Sequence, residues 1–379
     1  MPIQLDLTDD QVLFHETTAR FIEAELPRER TRAWHEKADG FDRGWLAKSA
    51  ELGWFSMLVP EADGGGSVSD NPLADAALVA EELGRQVQPG PFVPMNVALA
   101  AIARHGDPSR KADLLPVAVA GQVVVTWAPA DPAGRWDLGA AVRVERAESG
   151  FTVTGRRGQV QEAAQADWLL VAGTLDGEVV QVIVPTAAPG VTLEPLATLD
   201  LARRMADVSL EAVEVPADAI VRGGANALEQ MHRQAAVLAA VETVGAMDAL
   251  LTMTVEYAKD RIAFGRPIGS FQALKHLMAD LAMSLEVAKA AAAAAISSVG
   301  QDRDDAAEVT AMAAAAIGEA GNELAQQCLQ IHGGIGYTWE HDLHLLMRRI
   351  QTNSVLYGTP TWHREQLCRV HGLGTEVAR

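Results

Sequence analysis

D-R-I-A-F-G-R-P-I-G-S-F-Q, from Asp260 to Gln272, lies between two long helical patterns in the last third of the chain. Arg261 ends the first helix, Phe264 and Gly265 make a turn, and Phe271 and Gln272 open the next helix. An arginine at a helix C-terminus can do no more than neutralise the last carbonyls. Here it stands with Phe264, Gly265, Pro267, Gly269, Phe271 and Gln272. A planar guanidinium fork for phosphate, an aromatic face for a ring and an amide for a polar edge suit a nucleotide cofactor. A second stretch, Q-I-H-G-G-I-G-Y-T from Gln330 to Thr338, ends a predicted helix at paired glycines. Such glycines let a backbone approach a ligand closely, although a helix C-cap and turn is the plainer reading. No strand precedes them, so they are not a dinucleotide fingerprint.

Outward from the corner, both flanking patterns are helical. Leu274, Leu277, Leu281 and Leu285 recur at three, four and four residues, and Ala313, Ile317, Ala320, Leu324 and Cys328 at four, three, four and four. These are apolar stripes of long bundle helices, the second capped by Asp302 or Asp304. The region 120–222 differs. Short β-branched runs at 123–127, 141–145, 168–172, 179–184 and 208–215 are separated by Gly, Pro, Asp or Ala-rich breaks. With no helical patterns between them, they predict an antiparallel barrel or sandwich. The region 1–119 is helical again. Thr8 and Gln11 make a capping-box pattern ahead of Phe14, Phe21 and Ile22, and 74–84 is a second helix. Loops are marked by Pro60 with Gly64, Gly65 and Gly66, and by Pro89, Gly90, Pro91 and Pro94. The expected fold class is α+β: an N-terminal helical domain (1–119), a central β domain (120–222) and a C-terminal helical bundle (223–379). The cleft where such domains meet is a favoured ligand site.

The 379 residues carry a net charge of −19, with 49% hydrophobic and 21% charged residues. That acidity argues against a nucleic-acid partner. Cys328 and Cys368 lack the paired spacing of a disulfide framework or zinc site and fit a reducing cytoplasm. M-P-I-Q-L-D-L-T-D-D has neither the basic nor the apolar region of a signal peptide, and the alanine run 290–295 is too short to span a membrane. His341 and His344, with His332 nearby, lack acidic or cysteine partners at ligand spacing, so no metal is expected. Arg348 and Arg349 read as bundle ion pairs, and Lys259–Asp260 as a solvated helix end.

Taken together, the segments 257–281 and 330–349 resemble the two most recognisable segments of the acyl-CoA dehydrogenase family. P-E-A-D-G-G-G (60–66) and E-E-L-G-R (81–85) are similar to its N-terminal signatures, and the resemblance runs over essentially the whole chain. It implies an α–β–α fold closed by a C-terminal four-helix bundle. It also implies an FAD enzyme that oxidises the Cα–Cβ bond of an acyl-CoA thioester. In such enzymes a carboxylate removes the α-proton, a hydride leaves Cβ, and the electrons pass to an electron-transferring flavoprotein. The family holds FAD at a subunit interface. The residues matching Arg261, Phe264, Gln272, Gln330, Gly333 and Gly334 reach the pyrophosphate and adenosine of an FAD held mainly by the neighbouring subunit.

The rest of the family's site is altered. Its Thr-Glu-Pro and Gly-Ser-Asp loop is matched by 127–137, where Pro129 and Gly134 survive, Trp127 and Ala128 replace Thr-Glu, and Arg135 replaces the serine. Its Trp-Ile-Thr/Ser beside the isoalloxazine is matched by Gln159, Val160 and Gln161. The usual catalytic glutamate falls at Tyr357, or at Gly358 in a register shifted by one. An alternative site for it falls at about Ala235, beside a substrate-contacting arginine replaced by about Ala236. Glu242, in the apolar helix V-L-A-A-V-E-T-V-G-A-M, remains as candidate base or as a polar contact to a neighbouring helix. Three readings follow. The chain is the non-catalytic partner in a heteromeric acyl-CoA dehydrogenase, resembling actinobacterial pairs that act on bulky CoA thioesters, including steroid side chains. Or it is a self-sufficient homo-oligomer using Glu242 or an unaligned acid. Or it is a redox-inactive structural or binding member of the family.

Overall fold

The computed structural model describes residues 3, 5–34, 40–134, 136 and 141–373. Six helices come first: α1 (Asp9–Glu25), α2 (Arg28–Trp34), α3 (Arg43–Glu51), α4 (Pro72–Arg85), α5 (Phe92–His105) and α6 (Pro108–Val119). Eight strands follow: β1 (Val125–Ala128), β2 (Val142–Ala147), β3 (Gly150–Gln161), β4 (Trp168–Leu175), β5 (Glu178–Pro185), β6 (Val191–Leu196), β7 (Met205–Pro216) and β8 (Ile220–Val221). Then come α7 (Gly224–Asp260), a small ladder of β9 (Ile262–Ala263) with β10 (Arg266–Pro267), and α8 (Gln272–Gly300), α9 (Ala306–His332), α10 (Leu343–Asn353) and α11 (Pro360–Val370).

Packing divides the chain into two compact units that cut across this order. One comprises Met1–Glu29, Ala77–Gln88 and Ala236–Arg379, the other Arg30–Ala76 and Pro89–Ala235. The second unit is built on the large sheet, ordered β6-β7-β3-β2-β4-β5-β8 with β1 beside β4. The sheet is mixed, not antiparallel: β4 pairs in parallel with both β1 and β2. Parallel neighbours need a long crossover, usually a helix. Here the β2–β3 hairpin fills that crossover, so no helical pattern announces it in the sequence. The longest strand missed in the sequence is β3, a central strand paired with β2 and β7. Its G-F-T-V-T-G-R-R-G-Q-V-Q is too rich in glycine and arginine to read as buried. Helix α5 is buried from Phe92 to Ala103 and packs on β1, with Trp54 edge-on to Trp45 (5.8 Å) and Phe92 (6.2 Å) in the same core. A helix apolar on every side has to be buried on every side.

In the first unit α9 packs against α8, α10 and α11. Ile317, Leu324 and Cys328 of its stripe are buried, as are Leu281 and Leu285 of α8. The first two turns of the α8 stripe, at Leu274 and Leu277, are only half-buried. The N-cap of α9 is Asp305, not Asp302 or Asp304. Its carboxylate accepts a hydrogen bond from Ser298 at the end of α8 and none from the first turn of α9. The Thr8–Gln11 capping box on α1 is complete in both directions.

The E-E-L-G-R signature acquires a physical meaning in this unit. A Cβ on Gly84 would lie 1.9 Å from the Glu242 carbonyl oxygen, and one on Gly245 would lie 2.0 Å from the Glu81 carbonyl oxygen. Helices α4 and α7 therefore touch backbone to backbone, which only glycine allows at both points. Beside the crossing, Arg85 donates to Glu81 (3.3 Å), Glu82 (3.0 Å) and Asp248. Asp248 also accepts from the buried Lys289 (3.2 Å), and Glu82 pairs with His15 of α1 (3.1 Å). Burial pushes the Lys289 ammonium toward neutrality, yet Glu286 and Asp248 hold its pKa above the usual value. Four helices are joined by charges that cannot be removed one at a time without stranding a partner.

Candidate functional site

The corner begins where α7 ends, at Asp260. The Arg261 amide still closes a last turn onto the Tyr257 carbonyl (2.9 Å). Then Ala263 pairs with Arg266 and Ile262 with Pro267 in a two-residue hairpin. Phe264 (φ 53°) and Gly265 (φ 75°) both take the left-handed conformation such a hairpin turn requires. Phe264 is 95% exposed and stands edge-on to Phe271 at 6.2 Å. Arg266 lies over the Phe271 ring at 4.1 Å. Arg261 and Gln272 are exposed, with the Gln272 amide nitrogen 3.1 Å from His276 Nε2.

The second stretch ends α9. Gly333 takes φ 62° and ψ −140°, a conformation closed to other residues, and a Cβ on Gly333 or Gly334 would meet nothing within 4 Å. Gln330 and Gly334 are exposed. The two stretches meet through Tyr257, four residues before Arg261, and His332, next to Gly333. Their rings stack at 4.4 Å and 18°, and the Tyr257 hydroxyl donates to the His332 carbonyl (3.3 Å). Arg261, Phe264, Gln272, Gln330, Gly333 and Gly334 thus belong to one jointed edge, rich in donors and open to a ligand's approach. His341 meets His332 edge-on at 4.9 Å, and His344 stacks on Trp339 at 5.1 Å. Aromatic packing therefore takes up these histidines. Arg349 is fully buried and donates to the Gln88 carbonyl at 2.9 Å.

The positions that match the flavin-side loop behave differently. Trp127 is buried and its indole N–H donates to Gln181 (3.1 Å); the neighbouring Thr126 hydroxyl donates to the Gln161 carbonyl (2.6 Å). Gln159 is exposed with φ 53°. Gln161 is buried, and its Oε1 has no partner among the described residues. Arg135 and Asp137 lie outside the described residues. The hydroxyl and indole of β1 are used inside the sheet, whereas the Asp260–Gln272 corner stays largely exposed.

Sequence reasoning passed over two buried charges on β3 and just after it. Arg157 is fully buried and donates to the Pro129 (3.1 Å) and Ala172 (3.0 Å) carbonyls. Glu162 is fully buried, and burial raises its pKa to about 7 although the Arg204 amide and the Arg203 charge favour the ionised form. The doublet R-R and the G-Q-V-Q-E run carry no periodicity that would separate these from surface charges.

The place of the substrate-contacting arginine, Ala236, and the shifted register of the usual glutamate, Gly358, come together, while Ala235 and Tyr357 do not line the cavity they share. Ala236 and Gly358 line one cavity with Ala240, Thr243, Gly318, Asn353 and His363. Its volume is about 10 Å³, room for one water and not for an acyl chain, and no carboxylate is among its described lining residues. Gly358 has φ 117°, and a Cβ there would lie 2.7 Å from Trp362 and 2.9 Å from His363 Nε2, so a glutamate at 358 is sterically excluded. Tyr357 is buried with φ 64°. Burial pushes His363 down to about 4, against a hydrogen bond that the ring donates to the Tyr357 backbone carbonyl, so it is neutral. Glu242 does not line the cavity itself: it is buried, and its Oε2 accepts from Nδ2 of the lining residue Asn353 at 3.2 Å.

An exposed edge of this kind suits the phosphates of a nucleotide cofactor, as in a nucleotide-dependent oxidoreductase. Comparison narrows the class. Residues 8–122 match the acyl-CoA dehydrogenase N-terminal domain and residues 222–371 the acyl-CoA dehydrogenase C-terminal domain. The acyl-CoA dehydrogenase IpdE2 of Mycolicibacterium smegmatis is 32% identical over 365 residues, covering 96% of this chain and 98% of that one. The acyl-CoA dehydrogenase FadE34 of Mycobacterium tuberculosis is 33% identical over 88% of this chain but only 44% of its own length. Among solved structures, a chain of the ChsE4-ChsE5 complex from Mycobacterium tuberculosis superposes with a TM-score of 0.89, at 26% identity, over 99% of this chain and 100% of that one. The chain belongs to the acyl-CoA dehydrogenase family, an oxidoreductase family whose cofactor is FAD.

Arginine 261 gives a direct test of the edge. Arg261→Ala should weaken FAD retention in the assembled enzyme about tenfold or more, the usual loss for a charge-assisted bond to phosphate. Its side chain is exposed, so the melting temperature should not move. Unchanged FAD content after gel filtration would remove Arg261 from the phosphate site.

Proposed function

We propose that this chain is the non-catalytic subunit of a heteromeric, cytoplasmic, FAD-dependent acyl-CoA dehydrogenase. A paralogous subunit supplies the isoalloxazine pocket and the base, and an electron-transferring flavoprotein takes the electrons. The observation that supports the reading is the cavity lined by Ala236 and Gly358: the place of the substrate-contacting arginine and one register of the usual glutamate meet there, it has room for one water, and no carboxylate is among its described lining residues. FAD, when bound, supplies the acceptor for the hydride from Cβ. This chain's part is to present Arg261, Gln272 and the Gly333–Gly334 turn to the cofactor's phosphates and adenosine, with Phe264 projecting beside them. Met283 and Val287, one turn apart on α8, and Met312 on α9 are exposed apolar side chains suited to a partner subunit. The likeness to a member of a two-protein complex supports the same reading. So does FadE34, which is long enough to hold a second segment of this size. We further infer a bulky acyl-CoA thioester, of the steroid side-chain kind, as substrate of the assembled enzyme. Glu242 serves in this reading as the interhelical contact to Asn353.

The test is the visible spectrum and FAD-to-protein ratio of the chain expressed alone, then co-expressed with its paralogue. Colourless protein alone, and a yellow complex bleached by an acyl-CoA, is the expected result. A stoichiometrically yellow chain that is bleached by acyl-CoA without a partner would establish a complete active site here and overturn the proposal. A complex that stays colourless would make the chain a redox-inactive binding protein.

A further inference from the structure

The two stretches that form the nucleotide edge come from different helices, and among the described residues no backbone hydrogen bond between them fixes their spacing. Among the described residues, Tyr257 and His332 join them. The His332 ring stacks on Tyr257 at 4.4 Å. Its Nδ1 lies 2.9 Å from the Cys328 carbonyl, so Nδ1 carries the proton and donates. His341 closes the ring's edge at 4.9 Å. The His332 carbonyl, in the peptide that leads into Gly333, accepts from the Tyr257 hydroxyl. Ring and carbonyl of one residue are thus both tied to a tyrosine one turn before Arg261. His332 is 3% exposed, and its Nε2 has no partner among the described residues. Burial lowers its pKa, with the Cys328 carbonyl opposing, so the ring is neutral and does not compete with Arg261 for an anion.

We propose that His332 is a positioning residue that locks the Gly333–Gly334 turn to the Arg261 corner, so that the cofactor of a partner subunit meets one preformed edge. The inference rests on the reading of that edge as an FAD site. Stacking alone does not suffice, since phenylalanine would stack but could not donate to Cys328, and asparagine could donate but not stack. Both contacts are needed to fix the ring, and the ring fixes the turn.

The experiment uses the assembled, FAD-loaded enzyme. FAD affinity is read from the fluorescence of released FAD, and the melting temperature of the apo assembly is read in parallel. His332→Leu should weaken FAD binding about tenfold with little change in the apo melting temperature. His332→Phe and His332→Asn should each restore part of that loss. In the His332→Leu background, Arg261→Ala should cost less than it does alone, because the corner is already misplaced. If His332→Leu fails to assemble, Tyr257→Leu breaks the same joint and the same cycle applies. Undiminished FAD affinity in His332→Leu, or a loss that adds fully to that of Arg261→Ala, would overturn the joint while leaving the edge intact. If Arg261→Ala itself loses nothing, the reading of the edge falls and the joint with it.

Discussion

Alanine at position 84 is expected to cost about 3 kcal/mol or more and to leave little folded protein at 37 °C. The added Cβ would lie 1.9 Å from the Glu242 carbonyl oxygen and 2.7 Å from its Cα. These are backbone atoms of a buried helix and cannot turn aside as a side chain would. Relief requires α4 and α7 to separate, and separation pulls Arg85 from Asp248 and exposes the Glu81, Glu82 and Lys289 charges to imperfect pairing. Gly245→Ala should do the same from the other helix, because its Cβ meets the Glu81 carbonyl at 2.0 Å. Gly334→Ala is the control, since a Cβ there meets nothing within 4 Å and stability should not change. Denaturant midpoints of the three variants decide the matter. A Gly84→Ala protein with wild-type stability would mean that the helices do not cross in contact.

Glu162→Gln is expected to stabilise the protein at pH 8 by about 2–3 kcal/mol and to flatten its stability between pH 5 and pH 8. The carboxyl is fully buried, and burial lifts its pKa from 4.5 to about 7. In the folded chain it therefore keeps its proton up to about pH 7, whereas the unfolded chain releases it near 4.5. Between those values the folded state binds the extra proton, so its stability falls as pH rises through the window. Glutamine cannot ionise, so it should remove that slope while its amide oxygen still accepts from the Arg204 amide at the place of Oε1. Urea midpoints at pH 5.5 and pH 8 test this. Equal differences between variant and wild type at both values would rule out a buried proton.

Much of the fold was legible in the residues. Helical stripes such as Ala313, Ile317, Leu324 and Cys328 are local patterns, and burial follows them because period and face are fixed by the helix itself. The strand runs at 168–172 and 179–184 became β4 and β5 for the same reason. By contrast, β3 was not legible. Its glycines and arginines are tolerated only because neighbours on both sides complete its hydrogen bonds, and Arg157 is buried only because Pro129 and Ala172 offer carbonyls to it.

The site divides along the same line. The sequence by itself determined the family, the order of elements and the shape of the Asp260–Gln272 corner, because a two-residue turn is set by the residues within it. It also determined that no glutamate stands at 357, 358, 235 or 236. Only the tertiary structure decided that Ala236 and Gly358 share one cavity, that Glu242 turns to Asn353, and that Tyr257 and His332 join the two glycine-bearing stretches. Each of those facts depends on side chains far apart in the chain. Their meeting is fixed by how closely α4, α7 and α9 approach, and that approach is set by small residues such as Gly84, Gly245 and Gly321, whose partners no local pattern names.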